Sequence, residues 1–237
     1  DQQRRIHQQL NMDAQQQAAQ FLVRNLAHEI KNPLGGLRGA AQLLSRELDS
    51  PELKEFTSLI IEQADRLRNL VDRLLGPQRP TQHAEHNIHQ VIQKVLKLVE
   101  MALPDNICLK RDYDPSIPDI QMDPDQMQQA VLNIVQNAIQ ALEHCGGDIV
   151  IRTRTQHQVT IGTQRYKVVL ALSIIDNGPG IPAELMDTLF YPMVTGRDEG
   201  SGLGLSIAHN IARLHGGRID CVSAPGHTEF IINLPLQ

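Results

Sequence analysis

The sequence predicts an α+β protein in two parts: an all-helical hairpin, then an α/β sandwich with helices on one face of a mixed sheet. Two apolar stripes at helical spacing, on either side of a turn at Asp49-Ser50-Pro51-Glu52, predict the hairpin. Beyond residue 86 helical segments and β-branched runs follow one another, which predicts the sandwich. The third observation is a deficit. A lone hairpin cannot cover its own apolar stripes, so two copies should pair as a homodimer around a four-helix bundle.

Residues 1–20 are rich in Gln and read as a linker or a polar signalling helix. The hairpin domain is expected over 21–76. Leu22, Leu26, Ile30, Leu37, Ala41 and Leu44 place one stripe on a first helix ending near Arg46. Within it lies His28-Glu29-Ile30-Lys31-Asn32-Pro33-Leu34. His28 and Asn32 share a helix face, whereas Glu29 points elsewhere. Pro33 removes the bond to the Glu29 carbonyl and costs roughly 3 kcal/mol in a helix interior, and Gly35, Gly36 and Gly39 weaken the helix further. That segment is expected to bend and to need partners. The second helix starts with Ser50 as N-cap and Pro51 in the first position, and runs through Leu53, Phe56, Ile60, Leu67, Leu70 and Leu74 to Gly76-Pro77.

Residues 77–86 read as a linker, and 87–237 as the second domain. Asn87 to Leu103 is expected to be helical and Ile107 to Tyr113 a short strand. Asp123-Pro124 opens a helix through Met127, Val131, Ile134, Val135, Ala138 and Leu142, ended by Gly146-Gly147. Ile149–Thr155 and Tyr166–Ile175 read as strands joined by a loop around Gly162. A helix is expected from Leu203 to Leu214, then strands over Arg218–Ser223 and Glu229–Leu234.

Composition excludes several classes. The formal net charge of -5 is spread over both signs, so neither nucleic acid nor an anionic membrane is an indicated partner. Cys108, Cys145 and Cys221 lack metal-ligand spacing and read as reduced, buried thiols of a cytoplasmic protein. The apolar run from Val168 to Ile175 is too short to span a bilayer. With no initial Met and no secretory signal, the chain reads as a membrane-free piece of a longer cytoplasmic polypeptide.

The second domain carries four weak signals in a telling order. Asn133 and Asn137, four apart on one helix, are either amides that solvate a phosphate-bound divalent ion or simply a wet helix face. Asp176-Asn177-Gly178-Pro179-Gly180 follows a buried strand; Asp176 can accept from an exocyclic amine, and Gly178 and Gly180 permit close backbone approach, although a plain turn has the same composition. Gly200-Ser201-Gly202-Leu203-Gly204-Leu205 opens a helix whose free N–H groups suit phosphate, without being a Walker or dinucleotide motif. Arg197 lies in the polar, glycine-flanked stretch before it, which resembles a lid, and there it either reaches a terminal phosphate or is simply solvated. Pro225-Gly226-His227-Thr228 links the last two strands, with His227 expected to be exposed.

Together with His28, these residues resemble the two-component sensor histidine kinases. His28-Glu29-x-x-Asn32-Pro33 is similar to their H-box, Asn133–Asn137 to the N-box, Asp176–Gly180 to the G1 box and Gly200–Gly204 to the G2 box. Phe190-Tyr191-Pro192-Met193 stands at the F-box, with Met193 in place of its second Phe. In Gly226-His227-Thr228, His227 replaces a Gly. The runs Tyr191–Arg197 and Pro225–Phe230 are similar to nitrogen-regulation kinases of the NtrB type. The resemblance implies a dimerisation and phosphotransfer hairpin followed by a Bergerat-type α/β sandwich that binds ATP and Mg²⁺. By analogy Asn137 is a magnesium ligand with Asn133 nearby, Asp176 holds the adenine amine with help from Thr228, and Gly200, Gly202, Leu203 and Gly204 wrap the phosphates. Arg218, after Gly216-Gly217, aligns with a basic residue linked to nucleotide in the NtrB type, although a solvated strand-start Arg is the plainer reading.

The implied chemistry is autophosphorylation of His28, with Glu29 as the base that takes the other ring proton, followed by transfer to an Asp of an NtrC-like response regulator. Asn32, on the face of His28, suits a phosphatase that positions water against the regulator's phospho-aspartate. A PII-type signal protein switches such kinases between the two states. The alternative is a Bergerat-fold ATPase that hydrolyses ATP without phosphorylating itself.

Overall fold

The computed structural model describes residues 26, 27, 29–75, 82–196 and 202–236. His28, Arg197 and Gly200 lie outside the described residues. The chain divides into two units near residue 78, the helical hairpin and the α/β unit.

In the hairpin, helix α1 (29–47) continues through Pro33 and the three glycines, so the lost hydrogen bond at Pro33 does not end it. A Cβ added at Gly35, Gly36 or Gly39 would meet open space. Helix α2 (Pro51–Leu75) starts as its sequence requires: the Leu53 amide donates to Ser50 Oγ at 3.4 Å, and Pro51 takes the first position, where its missing N–H costs nothing. Two ion pairs set the antiparallel register. Lys31 meets Asp72, and one heptad further along α1 Arg38 meets Asp65 at 2.8 Å, one heptad back along α2. Partly exposed pairs of this kind contribute under about 1 kcal/mol each, so they choose the register rather than hold it.

The seam inside the hairpin is made by Ala27, Leu34, Ala41, Ala64 and Val71, all buried. Most of the large side chains of the two stripes are not. Leu26, Ile30, Leu37, Leu44, Leu53, Phe56, Ile60 and Leu67 are each more than 40% exposed. Small residues bring the two helices together, and the large ones present a second apolar face that a single chain leaves uncovered.

The α/β unit is a five-stranded mixed sheet, ordered β2-β4-β5-β7-β6, with helices packed against one face. Its strands are β2 (Ile107–Asp112), β4 (Gly147–Ile161), β5 (Gln164–Asp176), β6 (Arg218–Ala224) and β7 (His227–Pro235). Only β2 runs parallel to its neighbour, and the other pairings are antiparallel. Cross-strand rows Ile151-Ile174-Phe230 and Leu172-Ile232-Ile219 are in register and at most 5% exposed. Over them lie α3 (Ile88–Glu100), capped by Asn87, and α4 (Pro124–Leu142), capped by Asp123. Helix α6 (Gly204–Leu214) lies beside α4. His215 at the end of α6 fastens the two: its Nδ1–H donates to the Ile211 carbonyl at 2.8 Å, and Nε2 accepts from the Asp123 amide at 2.9 Å. Burial holds this imidazole below its ordinary pKa, so it stays neutral and keeps that tautomer.

Several expectations need correction. The β4–β5 hairpin turns at Gly162-Thr163, and β4 continues through the polar stretch 156–161. Backbone pairing with β5 satisfies that stretch, which has no apolar face to announce it. Ala84–His86, placed in the linker above, forms β1 and pairs with β3 (Ile120–Met122), two strands too short to show a period. Helix α3 ends at Glu100 rather than Leu103, where the Ala102 amide bonds the Val99 carbonyl and tightens the last turn. A short helix α5 (Ala183–Met186) was also missed. The cysteines are free, but Cys108 and Cys145 are exposed and only Cys221 is largely covered. Burial, with the Asp176 and Asp220 carboxylates adding to it, pushes the Cys221 thiol up to about 12. No described helix is long and apolar enough to cross a membrane.

Candidate nucleotide-binding site

The site is built at the end of the sheet where β5 stops. Residues directly opposite in antiparallel strands share a face and lie about 5 Å apart. The last row on the helix-covered face reads Asp176, Thr228, Ser223, from β5 across β7 to β6. Behind it β5 and β7 present Ile174, Leu172, Phe230 and Ile232, all fully buried, so this row is a polar rim of the core. Thr153 of β4, opposite Leu172 and 3.0 Å from His89 Nε2, is a second buried polar group on the same face. Asp176 is 2% and Thr228 3% exposed. Asp176 Oδ1 accepts from the Gly178 amide at 3.0 Å. Ser223 Oγ lies 2.9 Å from Thr228 Oγ1 and accepts from the Ile181 amide at 2.9 Å. Ser223 was missed in the sequence, because only strand register reveals it.

The loop after Asp176 is pinned over the β6–β7 turn, with the Gly226 amide donating to the Gly178 carbonyl at 2.8 Å. This closeness explains two glycines. A Cβ on Gly178 would sit 2.8 Å from Asp176 Oδ1, and one on Gly180, whose φ is +87°, 2.9 Å from the Ala224 carbonyl carbon. The turn itself is only Pro225-Gly226. Thr228 therefore lies in strand β7 rather than in the link, and His227 is exposed as expected.

A second group of residues gathers where α6 begins. Gly204 faces Asn133 of α4; a Cβ there would touch Asn133 Cβ at 3.6 Å. Asn133 is 9% exposed and thus not on a wet face. Its Oδ1 accepts from Gln129 Nε2 at 2.9 Å, while the buried Nδ2 has no partner among the described residues. An unpaired donor beside a helix start without a side-chain cap suits an anion. Asn137, one turn along, is half-buried. Leu203 is buried in the N-cap position, and its carbonyl accepts from the Ile207 amide and Ser206 Oγ. The Met193 amide donates to the Gly202 carbonyl at 3.0 Å. Gly202 (φ +64°) has no room for a Cβ, which would lie 2.6 Å from the Met193 carbonyl carbon.

Arg218 does not join this site. It sits at the far end of β6, where Nε donates to Asp220 and Nη1 to the Thr160 carbonyl at 3.0 Å. No group of three or more His, Cys, Asp or Glu that could hold a metal occurs among the described residues. A divalent ion here would take an amide oxygen and phosphate oxygens, a donor set that suits Mg²⁺. In the hairpin, Glu29 and Asn32 are both exposed.

Comparison with known proteins fits these two units. The pattern of the family described as histidine kinase-, DNA gyrase B-, and HSP90-like ATPase matches residues 122–237, and that of the His Kinase A (phospho-acceptor) domain matches 18–83. Across all 237 residues the chain is 60% identical to the sensory histidine kinase/phosphatase NtrB of Klebsiella oxytoca, covering 68% of that protein. The chain belongs to the NtrB family. The NtrB of Vibrio alginolyticus is 61% identical over the same span. Among solved structures, histidine kinase ThkA in complex with response regulator protein TrrA is 28% identical with a TM-score of 0.59, over 99% of this chain and 65% of that one. Like other NtrB proteins this is an enzyme, a histidine kinase/phosphatase that binds ATP, phosphorylates itself and passes the phosphoryl group to a response regulator.

Proposed function

We propose that His28 is the phosphoacceptor and that residues 87–237 deliver ATP to it in a cytoplasmic homodimer assembled through residues 21–76. The observation that carries the reading is the Asp176-Thr228-Ser223 row, a polar rim of the core in which Asp176 and Thr228 are buried and Ser223 is half-buried. Asp176 accepts from the adenine amine, with Thr228 beside it. Asn133 and the N-terminus of α6 face the phosphates, with Gly202, Leu203 and Gly204 shaping that approach and Gly200 and Arg197 contributing from the lid. Asn137 supplies the protein ligand to Mg²⁺, which neutralises charge on the transferred group when bound. Arg218 has no part in this reading.

A neutral imidazole is already nucleophilic and needs orientation more than activation. Glu29 takes the second ring proton as the ring becomes cationic. Successive helix positions do not face each other, so this role requires a rotamer that folds back along α1. Asn32, one turn from His28, orients water against the phospho-aspartate of an NtrC-like regulator. A PII-type protein selects between the two activities.

The two residues should separate. Glu29→Gln is expected to slow autophosphorylation about 100-fold with unchanged ATP affinity. Asn32→Ala should keep autophosphorylation within about 2-fold and slow regulator dephosphorylation about 100-fold. Parallel loss of both activities in either variant would contradict the assignment.

A further inference from the structure

Ser223 is a hydroxyl with two partners among the described residues, the Ile181 amide and Thr228 Oγ1, each at 2.9 Å. A backbone N–H only donates, so Ser223 Oγ must accept from Ile181. Its own proton then has one acceptor in reach, Thr228 Oγ1. If Thr228 donated instead, the Ser223 proton would be left without a protein acceptor in a half-buried site. The direction that satisfies every one of these protons within the protein is Ile181 N–H to Ser223 and Ser223 O–H to Thr228. Thr228, 3% exposed and next to Asp176 in the row, is left with its own proton to give. Accepting from Ser223 also polarises that hydroxyl and makes it a better donor.

We propose that Ser223 is a specificity-determining residue of the nucleotide site. It occupies one lone pair of the Thr228 hydroxyl and leaves the Thr228 proton available beside the Asp176 acceptor, so the pocket can present acceptor and donor side by side. The adenine edge is the complement, an N6 amine that donates and an N1 that accepts, met directly or through one bridging water. Hypoxanthine and guanine invert both positions, with O6 accepting and N1–H donating. Asp176 rejects the first, and the oriented Thr228 hydroxyl rejects the second. This inference rests on the placement of adenine at Asp176.

The test is the dissociation constants of ATP and of ITP for the whole chain, in the wild type and in Ser223→Ala, Ser223→Thr and Asp176→Asn. Freed from Ser223, the Thr228 hydroxyl can turn and accept, so Ser223→Ala should weaken ATP about 5-fold or more and ITP by less than about 2-fold. Ser223→Thr keeps the hydroxyl and should restore the preference. Should the alanine variant not fold, Ser223→Cys, whose thiol is a weak donor, should lower the ATP-to-ITP preference in the same direction. An equal loss for both nucleotides, or none, overturns the proposal by reducing Ser223 to a structural tie. Asp176→Asn separates the layers. If it leaves ATP binding intact, the base does not sit on this row and both readings fall. If it destroys binding while Ser223→Ala keeps the preference, only the role of Ser223 falls.

Discussion

Asp176→Asn is expected to weaken ATP binding by about 100-fold or more while the α/β unit stays folded. The carboxylate offers only acceptors, and a hydrogen bond to a charged acceptor is worth about 1.5–3 kcal/mol, with a further penalty when a mispaired group stays buried. Asparagine is nearly the same shape. Its oxygen can still take the Gly178 amide that Asp176 Oδ1 accepts at 3.0 Å, so the loop keeps its anchor. What changes is that one atom of the group becomes a donor, which faces the donating amine of adenine. At 2% exposure, water cannot mend the mismatch. Calorimetric titration with ATP and Mg²⁺, paired with a thermal melt, reads both quantities. A melting temperature near that of the wild type and a lost binding isotherm is the expected pair. Retained affinity would move the base elsewhere.

The second large effect concerns assembly. Leu37→Glu combined with Leu67→Glu should convert the dimer to monomer, raising the dissociation constant about 10⁴-fold or more. Leu37 is 57% and Leu67 49% exposed in the single chain, so a dimer bundle is what covers them. Fully burying each leucine is worth about 1.5–3 kcal/mol, and two copies of each side chain enter the bundle. Replacing them with carboxylates adds the cost of desolvating charge without partners. The seam within the hairpin, Ala27, Leu34, Ala41, Ala64 and Val71, is not touched. Helicity should therefore fall less than association does. Sedimentation at micromolar concentration decides the matter: a dimer that survives both substitutions would place the interface on another face.

These two sites also mark what the residue order disclosed. The helix starts at Ser50 and Asp123 were legible because capping is decided within a few residues. The buried strand ending in Asp176 was legible because its apolar run exceeds what a loop needs. The apolar stripes were legible as stripes, but not how they divide. Nothing local tells that Ala41 turns inward to its own hairpin while Leu37 and Leu44 turn out. The polar row was half-legible. Asp176 and Thr228 stood out through motif spacing, whereas Ser223 looks like any strand serine until register sets it beside Thr228. Arg218 is the converse case: alignment with a motif suggested nucleotide and the plainer reading a solvated strand-start Arg, and the strand places it at the opposite end of β6, bonded to Asp220 and the Thr160 carbonyl. Strand 156–161 and the β1–β3 pair escaped because long-range pairing, not periodicity, creates them.

The most direct measurement is incubation of the chain with γ-labelled ATP and Mg²⁺, alongside the His28→Gln variant. The account predicts label on the wild type only, stable in base and lost in acid as a phosphoramidate is, and mapped to the peptide containing His28. Label that persists in His28→Gln, or ADP accumulating while no label ever resides on the protein, would contradict it.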